Sequence, residues 1–254
     1  LVLVMNVTML PSELFSSWLE WTFQPYLALH IPDGYLNPPV CVVTWAISVG
    51  LIALALKRVE AEYKDRTVPL MGVCAAFIFA AQMINFPIPG GTSGHLLGGT
   101  LAGAVLGPWA GSLVMVAVFI VQGFLFQDGG ISVMGANIFN MGLIGTFGGY
   151  YLFQAIRQAI GQDKLPGMVI GTAVASWVSV VVAAAICAFQ LAISGTTPLA
   201  VALTAMVGWH VLIGIGEALI TVATVAYIWR TRPDLFYRPP RKPRASTLHH
   251  LSSR

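Results

Sequence analysis

Two histidines open polar clusters in a chain that is otherwise mostly apolar. His30 heads His30-Ile31-Pro32-Asp33-Gly34-Tyr35-Leu36, where Pro-Asp-Gly makes a tight turn that folds the histidine back over the end of the following helix. His95 closes a run from Asn85 through Pro87, Pro89, Gly90, Gly91, Thr92 and Ser93. A third cluster is Gln127-Asp128-Gly129-Gly130, leading to Asn137 and Asn140. Neutral imidazoles suit nickel, cobalt, zinc and copper, so His30 and His95 could converge on one ion. Histidines in separate loops serve structural roles equally well, and spacing alone leaves both readings open. Asp33, Asn85, Ser93, Gln127, Asp128, Asn137 and Asn140 are expected to order the loops and orient the imidazoles.

The fourth cluster lies inside an apolar stretch. His210 and Glu217 are seven residues apart, about two helical turns, and so share one helix face. Ionisable groups at such depth are functional suspects, and the plain alternative is a hydrogen-bonded pair that holds helices in register. Neither is expected to be a ligand. Gly91-Thr92-Ser93-Gly94 also fits a GxSG nucleophile, which raises the alternative of an intramembrane serine protease using Ser93 with His210 as base. A secondary transporter of a small organic solute is the other competing reading. His249 and His250 lie in a polar tail and are read as incidental.

The elements that must carry these clusters are membrane helices. Of 254 residues, 57% are hydrophobic and 9% charged, against about 25% charged in soluble domains. Between Arg66 and Arg157 the only charge is Asp128, and between Lys164 and Arg230 the only charge is Glu217. A charge at the bilayer centre costs roughly 3 kcal/mol, so such stretches suit hydrocarbon. Apolar runs predict an all-α bundle of about seven spans at 38–56, 68–86, 94–106, 108–126, 133–156, 166–190 and 199–229. The third is short, and Gly107-Pro108 turns the chain sharply into the fourth. Small residues at four-residue spacing, such as Gly94, Gly98 and Ala102, predict close helix packing. Cys41, Cys74 and Cys187 sit in apolar runs without CxxC spacing, which points to packing.

Charge placement predicts orientation. All 13 Lys and Arg residues fall in 57–66, 157–164 and 230–254, which the positive-inside rule makes cytoplasmic. The amino-terminal side is then outside, the carboxyl tail inside, and the first three clusters meet at one outer face. Parity requires the short third segment to cross. The net charge of +3 follows this pattern and argues for no nucleic-acid partner. The basic segments face partner proteins or anionic lipid.

The strings HIPDGYLNPPV, NFPIPGGTSGHLLGG, QDGGISVMGANIFNMG and GWHVLIGIGEALIT resemble the CbiM/NikM type of energy-coupling-factor transporter over about His30 to Trp229. That resemblance implies a multi-pass plasma-membrane component that captures Co²⁺ or Ni²⁺ as transported substrate and is linked to cobalamin synthesis if cobalt. It implies no enzyme activity. With no Walker A motif and no ATP site in this chain, it implies a transmembrane coupling component, two cytoplasmic ATPases and often a small accessory membrane protein.

The resemblance also implies a ligand set. A terminal amine, the next amide nitrogen and that residue's imidazole take three positions, and the GTSGH histidine takes the fourth. Mapped here, these are the amine of Leu29, the amide and ring of His30, and the ring of His95. Four nitrogens in a plane favour nickel, whereas the HIPDGYL…PPV wording looks more like cobalt members, and the balance leans to cobalt. Leu29 provides an amine only as a mature terminus, for example as an initiator codon read literally. The expected organisation is therefore an extension over 1–29, a metal-capture domain over 30–229 and a basic tail over 230–254.

Overall fold

The computed structural model describes residues 30–62, 67–88 and 92–237, with the backbone alone for 85–88 and 92–93. Leu29, the 1–28 segment, His249 and His250 lie outside the described residues, as do the side chains of Asn85 and Ser93. The chain forms helices α1 (Pro38–Glu62) and α2 (Thr67–Gln82), strands β1 (Asn85–Ile88) and β2 (Thr92–His95), then α3 (Gly99–Leu125) and α4 (Met134–Asn137). A π-helix over Ile138–Gly148 runs on into α5 (Gly149–Ile160), followed by α6 (Leu165–Ile193), α7 (Leu199–Thr231) and a short 3₁₀ turn at Pro233–Leu235.

Local chemistry explains several boundaries. Asn37 accepts the Val40 N–H at 3.0 Å, capping α1 just before Pro38, whose missing N–H costs nothing in a first turn. Gly107 breaks α3 with φ 80° and ψ 169°. A Cβ on Gly111 would lie 2.8 Å from the Ala102 carbonyl carbon. A straight helix would separate those residues by roughly 13 Å, so α3 is two legs joined by a sharp turn, as Gly107-Pro108 predicts.

Among the described residues three unbroken helices, Pro38–Glu62, Leu165–Ile193 and Leu199–Thr231, are long and apolar enough to cross a bilayer, and Gly99–Leu125 reaches that length across its turn at Gly107. Thr67–Gln82 is apolar but shorter. The core lies along α3, whose side chains are buried around most of its circumference, with Met115, Phe119 and Leu106 packed against Phe153, Met168 and Ile78. By contrast α1 and α7 turn Val42, Val43, Leu56, Leu212, Leu219 and Tyr227 outward. Apolar faces with no protein neighbour fit a lipid solvent.

The fold is mostly helical, as expected, and two features refine it. Asn85–Ile88 and Thr92–His95, read as loop running into a span, are paired antiparallel strands with Asn85 opposite His95, and helix begins only at Gly99. The expected span at 133–156 contains an 11-residue π-helix. π-Geometry in more than a single turn is rare and often sits at functional sites.

The molecule has two distinct ends. At one, Arg58 lies over Trp109 at 5.8 Å, Arg157 lies over Trp229 at 5.8 Å, and the Tyr237 N–H donates to the Val105 carbonyl at 2.8 Å. His30, His95 and Asp128 gather at the other.

A candidate metal centre between two histidine loops

His30 and His95 face one another with ring centroids 4.9 Å apart and planes inclined at 53°. Both are buried, at 6% and 3% exposure. Two imidazoles bound side by side at a right angle, each about 2.0–2.1 Å from an ion, would set their centroids roughly 4.5 Å apart. The pair is therefore spaced to share one ion after a small adjustment. The edge of Phe119 closes the apolar side, 5.2 Å from the His30 ring.

His30 is held by the loop after α3. Its Nδ1 lies 3.3 Å from Asp128 Oδ1, and Nε2 has no hydrogen-bond partner among the described residues. Ile31 donates its N–H to Asn137 Oδ1 at 3.1 Å, while its carbonyl accepts from Asn137 Nδ2 at 3.3 Å and Gly130 N–H at 2.9 Å. The QDGG glycines permit this approach. Gly129 has φ +91°, and a Cβ there would sit 2.6 Å from His30 Cβ. A Cβ on Gly130 would sit 2.3 Å from the Asp33 nitrogen. The Asp33 carboxylate accepts from Ser132 N–H at 2.8 Å, from Ile131 N–H at 3.2 Å and from the Ser132 hydroxyl. These donors, the Ser132 hydroxyl above all, hold its carboxyl below the ordinary 3.8.

His95 is held from within the bundle. Its Nδ1 lies 2.7 Å from the Leu96 carbonyl, so in a neutral ring Nδ1 carries the proton and Nε2 the lone pair. A backbone carbonyl on the far nitrogen is the usual partner of a ligating histidine. The loop beyond is bonded to Glu217, whose two carboxylate oxygens accept Leu97 N–H and Gly98 N–H, each at 2.9 Å. Gln82 Nε2 donates to the Leu97 carbonyl at 2.7 Å, and Gln122 Nε2 to Gln82 Oε1 at 2.9 Å.

The other expected residues fall in different places. Gln127 is exposed with φ 55°, and its role is to turn the chain off the end of α3. Asn140 is buried in a reciprocal amide pair with Gln190 at 2.7 and 2.8 Å, bracing the π-helix against α6. His210 and Glu217 are not bonded as a pair, which corrects that expectation. His210 Nδ1 lies 2.6 Å from the Met206 carbonyl of its own helix, while Glu217 reaches the His95 loop. Among the described residues no group of three or more His, Cys, Asp or Glu could hold a metal. Two imidazoles alone make half a square plane.

Comparison with known proteins fits this architecture. The profile of the CbiM family, the cobalt uptake substrate-specific transmembrane region, matches residues 30–235. The chain belongs to the CbiM family. A relative from Archaeoglobus fulgidus, provisionally named a fused nickel transport protein NikMN, is 39% identical over 209 residues, 82% of this chain and 68% of its own length. The cobalt transport protein CbiM of Sorangium cellulosum is 29% identical over 83% of this chain and 95% of its own. The crystal structure of a truncated transition metal transporter superposes with a TM-score of 0.72 at 37% identity, covering 79% of this chain and 98% of that one.

For this CbiM family chain, sequence reasoning missed Gln82, Gln122, Gln190, Ser132 and Phe119. The three glutamines carried a usable signal, since an amide inside an apolar helix needs an interhelical partner. Ser132 and Phe119 carried none.

Proposed function

We propose that this chain captures Ni²⁺ or Co²⁺ at the outer membrane face and passes it inward in an energy-coupling-factor transporter. The observation that carries this reading is the buried His30–His95 pair, 4.9 Å apart, brought together from segments 65 residues apart in a chain of the CbiM family. The remaining donors would be the amide nitrogen of His30 and an amine at residue 29, which together with two imidazoles complete a plane of four nitrogens. Of the two named relatives, the more similar bears a nickel name and the less similar a cobalt name. That ordering and the four-nitrogen plane favour nickel, and cobalamin synthesis would be the destination if the ion is cobalt.

Seven crossings, with the histidine end outside and the basic end inside, are supported by the path of the third segment. Its start, His95, stands beside His30, whose Nδ1 meets Asp128, whereas Val105 bonds Tyr237 at the basic end. The helical stretch from Gly99 to Leu106 adds roughly 12 Å to the non-helical run from His95 to Gly98, and together they carry the chain from the histidine end toward the basic one. Energy would come from partners: a coupling membrane protein and two ATPases, met by the 57–66 loop and the 230–254 tail, with a small accessory membrane protein.

The test is a titration with Ni²⁺ and with Co²⁺ of the purified chain carrying residue 29 as its amino terminus. One ion per chain is expected, and His95→Ala should abolish binding. Tight binding by His95→Ala would overturn the reading. Uptake that persists without ATPase subunits would favour a secondary transporter instead.

A further inference from the structure

Glu217 is 2% exposed, deep in an apolar helix, and a carboxylate there is costly unless its oxygens are fully bonded. Packing alone would be served by leucine. Its two acceptors instead go to consecutive amides of the loop that follows His95.

Leu96 C=O and Leu97 N–H belong to one planar peptide group. Glu217 Oε2 accepts from its N–H at 2.9 Å, while His95 Nδ1 lies 2.7 Å from its C=O. The next peptide is held in the same two-sided way: Gly98 N–H donates to Glu217 Oε1, and Leu97 C=O accepts from Gln82 Nε2. A negative charge on the N–H side polarises the peptide and makes its carbonyl a stronger acceptor. A stronger acceptor on Nδ1–H raises the basicity of Nε2, as a carboxylate does when it contacts a metal-binding histidine directly.

We infer that Glu217 is the positioning residue for His95, aiming the ring and strengthening its Nε2 as a metal donor through the Leu96–Leu97 peptide. The inference rests on the capture function proposed above. Glu217 also ties that donor to α7, whose far end packs at the basic end through Trp229. A displacement of α7 would therefore reach the ligand through two hydrogen bonds.

Glu217→Gln keeps one acceptor and the side-chain volume but removes the charge. Against wild type, it is expected to weaken Ni²⁺ binding about 10–100-fold and to shift the ligand-field spectrum of bound Ni²⁺ or Cu²⁺. Amide exchange at Leu97 and Gly98 should speed up in the metal-free protein. Gln82→Leu loosens only the second peptide; should Glu217→Gln fail to fold, it carries the test, with a smaller loss in the same direction. Wild-type affinity and spectrum in these variants would overturn the inference and leave the capture function standing. Weaker binding with an unchanged spectrum and a lower melting temperature would reduce Glu217 to a structural role, which also overturns it. A wild-type chain beginning at residue 29 that binds neither nickel nor cobalt would overturn the capture reading first, and this inference with it.

Discussion

His30 and His95 face the same space, yet the protein holds them by opposite means. His30 rides on an arm whose Ile31 backbone is bonded to the Asn137 side chain and the Gly130 N–H, with two glycines cut away to admit it and Asp33 bonded in solvent beyond. His95 is anchored by a buried carboxylate and two buried amides inside the helices. Exposed hydrogen bonds contribute little net stability and exchange readily with water, whereas breaking a buried one strands its partner. The arm is thus held in part by bonds at the surface and the His95 loop by bonds inside the helices, so the two holds can be broken separately.

The largest expected effect that would sharpen this contrast is Gly130→Val. Its side chain meets the Asp33 backbone, so the arm should lose its seat and Ni²⁺ affinity should fall by about 100-fold or more, the upper range for groups behind a ligand. Exchange at Leu97 and Gly98 should stay at the wild-type rate, and a change there would break the separation of the two holds. Asn137→Ala comes next. Losing both contacts to Ile31 costs about 1–3 kcal/mol, read as roughly tenfold in affinity by titration. Gln122→Leu should cost less, since it touches His95 only through Gln82, and a small rise in exchange at Leu97 is its expected signature.

The smallest effect concerns acid. Asp33 has a carboxyl lowered below 3.8 by the Ser132 hydroxyl and nearby amides. Its contribution is fully present above the ordinary carboxylate value and is lost as pH falls through the lowered one. Melting followed from pH 5 down to pH 3 should show a modest loss in wild type that Asp33→Asn lacks. Identical slopes would mean that the Asp33 clasp contributes nothing.

Much of this fold was legible beforehand because lipid imposes a simple rule. Charge-free runs located most helices to within a few residues, as with Leu165–Ile193 against an expected 166–190, although α1 runs six residues past its expected end and α3 starts five residues late. Gly107-Pro108 announced its turn, since few other pairs stop a helix so abruptly. The hairpin was missed because Pro87 and the following glycines speak for a loop, and only pairing across Asn85 and His95 makes it a ladder. The π-helix was missed because the extra residue per turn answers to packing against α3 and α6, which composition does not express. Within the site, His30, His95, Asp33, Asp128 and Asn137 were legible as polar residues clustered beside turns, whereas the two-sided hold on the Leu96–Leu97 peptide was not.

The amino-acid sequence by itself determined the solvent, the helices, the basic end and the four polar clusters, because each depends on residues close together in the chain. Only the tertiary structure decided that His30 meets His95, that Asn140 turns to Gln190, and that Glu217 serves the His95 loop rather than His210. Helices in lipid gain little from hiding apolar surface against one another. Their pairing is chosen by close fit and by a few buried hydrogen bonds between distant residues, and those bonds exist only once the chain has folded.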